Sequence, residues 1–109
     1  MPFDERLAQR IRDILAEECH AKGRRMFGGL AFMVNGHICC GIVGEDLVVR
    51  VGAEGHEQAL SQPHARAMDF TGRPMKGFVY VGPDGYRTKA ALKTWLKRGL
   101  HFVMSLPPK

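Results

Sequence analysis

The chain has 109 residues, of which 45% are hydrophobic and 25% charged, and its formal net charge at pH 7 is +5. This length fits one domain, 1–109, whose core needs no disulfide or metal, and no apolar run approaches the ~20 residues of a membrane-spanning helix. The basic balance admits nucleic acid, an acidic partner or an anionic membrane surface, without selecting one of them.

The first predicted element is a helix over residues 3–22. Apolar residues recur at three- and four-residue steps from Phe3 to Leu15 and make one stripe along it. Asp4 suits the beginning of a helix, and the pair Lys22-Gly23 suits its end.

A β-hairpin follows, predicted by the pair Asn35-Gly36 between two apolar runs. A type I′ turn needs positive φ at both central residues, which this pair supplies. Val34 and His37 would close the turn, and an unbroken register would place Phe32 opposite Cys39. Both faces of the hairpin are largely apolar, so we expect it to lie inside the sheet.

The glycine pair before the hairpin, Gly28-Gly29, predicts a bulge or a close approach of two backbones. Alternating apolar residues predict a third strand over 47–51 and a further strand over 77–81. A short helix over 56–61 lies between them, a short strand within 65–74 is left open, and a long helix begins after Thr88.

Consecutive strands joined by tight turns must be antiparallel. The order is therefore a helix, three meandering strands, a short helix, one or two strands and a long helix. We predict an α+β fold in which an antiparallel β-sheet carries its helices mainly on one face.

Several motifs stand in a recognisable order along the chain. They are Arg25-Met-Phe-Gly-Gly-Leu-Ala-Phe-Met-Val-Asn-Gly36, Cys39-Cys40-Gly41, Leu47-Val-Val-Arg50, Gly72-Arg-Pro-Met-Lys-Gly-Phe-Val-Tyr80, Leu92-x-x-Trp95 and Leu106-Pro-Pro-Lys109. Together they resemble the TfoX (Sxy) N-terminal domain family over nearly the whole chain.

The resemblance implies an α+β fold similar to type III secretion chaperones, in the order α-β-β-β-α-β-β-α. It also implies a regulatory role, since the named TfoX proteins regulate natural competence with the cyclic-AMP receptor protein. Those proteins carry a second, C-terminal helical domain, and we expect this chain to be a stand-alone N-terminal domain. The family implies no catalytic residue.

A His-x-Cys pair in the hairpin raises the question of a metal. His37 and Cys39 share one predicted face, and further ligands would have to come from His20, Cys19 or His101. Structural zinc sites usually show two ligand pairs, and the second pair is missing from the sequence. We therefore interpret Cys39 as a packing residue and His37 as a turn residue, and we predict no metal and no cofactor.

The three cysteines, Cys19, Cys39 and Cys40, also bear on catalysis and location. Their odd number argues against a disulfide framework and favours a reducing compartment, so we expect a cytoplasmic protein. Neighbours in a strand point to opposite faces, so we expect Cys39 and Cys40 to do so. A mid-strand apolar setting raises the pKa of a thiol, and we predict that the protein is not an enzyme.

Basic residues are the candidates for nucleic-acid contact. Lys89, Lys93 and Lys97 recur every four residues along the last helix, Arg24 and Arg25 precede the hairpin, and Lys76 lies in the middle of the chain. The alternative is a solvated helix face, which we favour because the sequence lacks a helix-turn-helix, a zinc finger or an RNP pattern.

Arg50 alternates out of phase with Val49 and Val51, so it lies on the second face of the sheet. Arg50 either anchors a partner or forms an internal ion pair with Glu45, Asp46 or Asp69. The sequence leaves both alternatives open.

We expect a non-enzymatic module that acts through protein–protein contacts at the second face and edge of the hairpin, with a homodimer by strand-edge pairing. Direct nucleic-acid binding is the alternative, and metal binding is the least favoured.

Overall fold

The computed structural model describes residues 3–26, 28–70 and 73–108, and for residues 69, 70 and 73–76 it describes the backbone alone. This part of the chain forms three α-helices and six β-strands. In chain order they are α1 (Glu5–Glu18), β1 (Ala21–Met26), β2 (Gly29–Val34), β3 (His37–Val43), β4 (Asp46–Arg50), α2 (Gly52–Leu60), β5 (Ala65–Phe70), β6 (Arg73–Val81) and α3 (Lys89–Met104), with a 3-10 turn at Pro83–Gly85 before α3.

The strands form one antiparallel sheet in the order β1-β2-β3-β4-β6-β5. The predicted α+β class and the order of helix, strands, helix, strands and helix are confirmed. The hairpin of β2 and β3 lies inside the sheet, as its two apolar faces predict. The strand left open within 65–74 is β5, and β6 begins well before the predicted strand over 77–81.

The first helix is shorter than predicted, and the chain that follows it is a strand. The Asp4 carboxylate begins α1 by accepting hydrogen bonds from two backbone amides of the first turn, at 2.9 and 3.2 Å. The helix ends at Glu18, and Cys19 is extended, with φ −167°. A helix over 3–22 is therefore wrong beyond Glu18, because the backbone from Ala21 onwards pairs with β2 instead.

The hairpin turn forms as predicted. Asn35 and Gly36 both have positive φ, 53° and 83°, and Val34 pairs with His37. These are the backbone conformations that a type I′ turn requires.

Behind the turn, one extra residue in β3 shifts the pairing, so that Phe32 opposes Cys40 and not Cys39. The predicted Phe32–Cys39 pair is therefore wrong. The expectation that Cys39 and Cys40 point to opposite faces is wrong as well, because both belong to the same core cluster. A bulge turns two consecutive side chains to one side, which strict alternation does not allow.

The close approach predicted at Gly28-Gly29 is found at Gly29. A Cβ on Gly29 would lie 1.9 Å from the Ile42 carbonyl oxygen, so no side chain fits there. Gly28 has positive φ, 73°, and a Cβ there would meet no atom within 4 Å. The pair therefore allows a tight entry of the chain into β2.

All three helices pack on one side of the sheet, which we call the helix face. Their buried side chains form one core cluster with alternate residues of the strands, such as Leu30, Val49 and Val79. The other side of the sheet is the open face. By register it carries Lys22 and Arg24 (β1), Ala31 and Met33 (β2), Ile38, Gly41 and Val43 (β3), Asp46, Val48 and Arg50 (β4), Arg66 (β5), and Phe78 and Tyr80 (β6).

The last helix crosses the centre of the helix face, against β3 and β4. Thr88 begins it as predicted, because its Oγ1 accepts a hydrogen bond from the Ala91 amide at 3.1 Å. Neither α3 nor any other helix in the described ranges combines the length and the apolarity needed to cross a bilayer.

Candidate protein-interaction surface

One row of paired residues crosses the whole open face, from the edge at β1 to the edge at β5. Its members in order are Arg24, Ala31, Gly41, Val48, Tyr80 and Arg66. The centre of the row consists of small, buried residues: Ala31 is 0% exposed and Val48 is 1% exposed. The centre of the row is therefore shielded from solvent, and each end carries a cation.

Half-exposed apolar side chains flank this row. They are Met33, Ile38, Val43 and Phe78, and the ring of Tyr80 adds to them. Apolar area that leaves water on contact contributes roughly 25 cal/mol per Å². A sheet face with this much partly exposed apolar surface between arginines has the composition of a protein contact surface.

The arginine at the β5 end of the row is held in place. Arg66 Nη2 donates a hydrogen bond to Asp46 Oδ2 at 2.8 Å, and its guanidinium carbon lies 5.1 Å from the centre of the Tyr80 ring. The hydrogen bond to Asp46 raises the pKa of Arg66 above its usual value, so the side chain stays charged. Sequence reasoning did not select Arg66, because the two residues that hold it, Asp46 and Tyr80, are distant in sequence.

Arg50 lies on the open face as predicted. Its guanidinium carbon lies 5.6 Å from the centre of the Phe78 ring and 5.2 Å from that of Phe102. None of the carboxylates that the structure describes forms an ion pair with it, and Asp46 pairs with Arg66 instead. The side chain of Asp69, the remaining internal candidate, lies outside the described residues. Among the residues whose side chains the structure describes, the contacts of Arg50 are with these two rings.

The predicted pair Arg24 and Arg25 does not form one basic corner. The two residues are neighbours on β1, so their side chains lie on opposite faces: Arg24 pairs with Ala31 of the open face and Arg25 with Leu30 of the helix face. Both are exposed, and neither pairs with a carboxylate in the described ranges. The two cations therefore belong to different surfaces.

The lysines of the last helix lie on the far side of the sheet from Arg24. Lys89 and Lys97 are exposed and Lys93 is half-buried, all on α3 above the helix face. The side chain of Lys76 lies outside the described residues. The basic residues singled out in the sequence are thus divided between the two sides of the sheet and are not gathered on one face.

The His-x-Cys pair is not arranged as a ligand set. His37 Nε2 lies 2.7 Å from the Pro107 carbonyl oxygen, while Cys39 is fully buried. Among the residues that the structure describes, no three His, Cys, Asp or Glu side chains are grouped to hold a metal ion. The hydrogen bond that the Cys40 thiol donates to Cys39, together with burial, raises the pKa of Cys40 well above its usual value. A thiol of this kind is a weak nucleophile at neutral pH.

Fold and surface together define an α+β domain with one helix-covered and one open sheet face. The family model for the TfoX N-terminal domain matches residues 13–103, and the chain belongs to this family. No curated protein matches the chain significantly.

Proposed function

We propose that this domain is a non-enzymatic protein-interaction module in a regulatory setting, and that the open face is its contact surface. The observation that carries the proposal is the band of half-exposed apolar side chains around the row from Arg24 to Arg66. Contact cores are depleted in charge and enriched in aromatic residues, Met and Arg, and the open face offers all of these.

Three arginines suit the surface to recognition. Arg24 and Arg66 lie at its two edges, and Arg50 lies at the end of β4 against the rings of Phe78 and of Phe102 from α3. A stacked guanidinium is restrained before it binds, so less conformational entropy is lost on contact. These positions favour a partner that presents carboxylates around an apolar patch.

The regulatory part of the proposal has its support in the family. The named TfoX proteins act in the control of natural competence, and we place this domain in a comparable regulatory role. The burial of Cys39 and Cys40 supports the non-enzymatic part, because the sequence had raised these two thiols as candidate nucleophiles.

The test compares proteins captured from an extract of the source organism by three immobilised chains. The first is the wild type, the second is Ile38→Glu/Val43→Glu on the open face, and the third is Ala90→Glu/Thr94→Glu on exposed positions of α3. All three must give the same unfolding midpoint before they are compared. We expect a set of proteins that the wild type and the α3 variant retain and the open-face variant loses. Loss in the α3 variant alone would contradict the proposal.

Direct nucleic-acid binding is the second candidate, supported by the cations of α3. Lys97, Arg98 and His101 line a groove of about 410 Å³ between α2 and α3 whose lining contains no acid. Binding through this helix would weaken steeply as salt rises, and Lys93→Glu/Lys97→Glu would abolish it. Unchanged DNA or RNA binding by that variant would exclude α3 as the contact.

A further inference from the structure

The strand β1 is an edge of the sheet that carries positive charge. It pairs with β2 alone, and within the described ranges no backbone hydrogen bond joins its outer edge to another segment. Its four central residues, 22–25, are all exposed, and three of them are cations. In the part of the chain that the structure describes, Lys22, Arg24 and Arg25 make no ion pair. This edge therefore has free backbone groups and free charge together.

A groove of about 530 Å³ runs beside the same edge on the helix face, between α1 and β1. Leu15, Ala16 and Cys19 of the helix side form one wall, and Gly23 lies in the other. Arg12, whose guanidinium carbon lies 5.9 Å from the centre of the Phe32 ring, and His20 also line the groove. Gly23 pairs with Phe32 and adds no side chain to the groove. A Cβ at Gly23 would meet a single atom, Leu30 Cδ1, at 3.6 Å, so the space next to β1 is empty rather than forbidden.

We propose that the outer edge of β1 binds an extended acidic segment of a partner protein as a seventh strand of the sheet. This inference rests on the proposed interaction function and names the class of partner. The alternation of the added strand places carboxylates beside Lys22 and Arg24 on the open face, and apolar side chains beside Gly23 in the groove. The recognised pattern is thus acidic and apolar residues in turn.

The positive charge of β1 disfavours a second copy of this chain as the strand that binds its outer edge. Two β1 strands side by side would bring Lys22, Arg24 and Arg25 of both copies together, and like charges placed opposite each other destabilise strand pairing. The same cations discourage unspecific edge pairing, a common use of lysine on exposed strands. An acidic strand alone gains both the backbone hydrogen bonds and the charge pairs.

The test uses three synthetic peptides of about ten residues, a length that covers a typical strand. The acidic peptide alternates Glu with Val or Leu, the basic peptide replaces each Glu with Lys, and the third is the acidic peptide N-methylated at its central amides. We expect the acidic peptide to shift the NMR signals of the β1 amides and to slow alkylation of Cys19 in the groove. The other two peptides should bind at least tenfold more weakly, since the basic peptide carries the same sign of charge as β1 and the N-methylated peptide lacks the amide donors.

Two variants distinguish the contribution of the groove to peptide binding from that of the charge. Gly23→Val fills the groove without a backbone conflict, so it should keep the fold and weaken the acidic peptide severalfold. Lys22→Glu/Arg24→Glu should reverse the preference between acidic and basic peptides. Lys89→Glu/Lys97→Glu on α3 makes the same change in net charge away from β1 and should leave the preference unchanged.

Equal binding of the N-methylated peptide would overturn the added strand and leave charge attraction alone. Shifts on α3 rather than on β1, or no binding of the acidic peptide, would overturn the edge as the site. These outcomes are independent of the capture experiment. If proteins are still lost only from Ile38→Glu/Val43→Glu, the proposed function stands without this inference.

Discussion

Gly99 of α3 lies directly against Cys39 in the bulge of β3. A Cβ on Gly99 would be 2.7 Å from the Cys39 carbonyl oxygen and 3.2 Å from its Sγ atom. The helix can therefore approach the sheet at this point only because position 99 has no side chain. The bulge turns both Cys39 and Cys40 towards the helix face, and Gly99 makes the room that Cys39 occupies.

The first prediction concerns this contact. Gly99→Ala should lower the free energy of unfolding by about 1–3 kcal/mol, because the methyl group meets backbone that cannot move aside. Urea unfolding measures it. Gly55→Ala in α2 is the matched control: its Cβ would lie 3.7 Å from Val51 Cβ, an ordinary contact, and it should raise stability by about 0.5–1 kcal/mol. A stable Gly99→Ala protein would contradict the close packing of α3 on the bulge.

The second prediction concerns Tyr86, which joins three parts of the fold. Its hydroxyl donates a hydrogen bond to the Glu45 carbonyl oxygen at 2.5 Å, and its own carbonyl accepts one from Arg10 Nη2 at 2.8 Å. Tyr86→Phe removes the first bond and keeps the second. We expect a loss of about 1 kcal/mol in thermal or urea unfolding at pH 7, with the fold retained.

The third prediction follows from the same residue at high pH. Burial raises the pKa of Tyr86 to about 12 from an ordinary value of 10.0. Between these values the unfolded chain loses this proton and the folded chain keeps it, so stability falls as pH rises from about 10 to about 12. The loss from this group is on the order of 1–3 kcal/mol. Tyr86→Phe should show a shallower decline over that window, and an identical slope in both proteins would contradict the assignment.

The fourth prediction concerns the thiols. Cys19 is half-exposed, whereas Cys39 and Cys40 are fully buried. An alkylating reagent should modify one thiol of the native protein, and Cys19→Ser should remove that reaction. Burial raises the pKa of Cys19, so its native rate at pH 8 should be lower than in the unfolded chain. Mass spectrometry of the intact protein measures both, and native labelling of Cys40 would contradict the buried bulge.

The sequence was most informative where one local rule decides the structure. Asn35-Gly36 predicts its turn because few other residues adopt positive φ twice in succession. The bulge at Cys39 has no such signal in the sequence. Cys39 and Cys40 are identical, so the pattern is the same whether Phe32 pairs with one or with the other. Strand β1 was missed because its charged residues fit an exposed helix end as well as an edge strand. Only pairing with β2 distinguishes the two.

The sequence predicted that the second face of the sheet is a candidate surface, but it did not predict which residues lie there. Alternation placed Arg50 on the second face, and the structure adds the two rings between which it stacks. The separation of Arg24 from Arg25 follows from their strand conformation, which the helix prediction over 3–22 obscured. Arg66 could not be assigned because its role depends on Asp46 and Tyr80, residues distant in sequence.

The open face as the contact surface is the central claim, and hydroxyl-radical footprinting tests it most directly. Met33 on the open face is half-buried, and Met104 at the end of α3 is 50% exposed. Both are methionines, so oxidation of the thioether reports on the exposure of each. The measurement compares their oxidation in the isolated protein with that in an extract of the source organism. The account predicts that the extract protects Met33 and leaves Met104 unchanged. Protection of Met104 with Met33 still oxidised would contradict it.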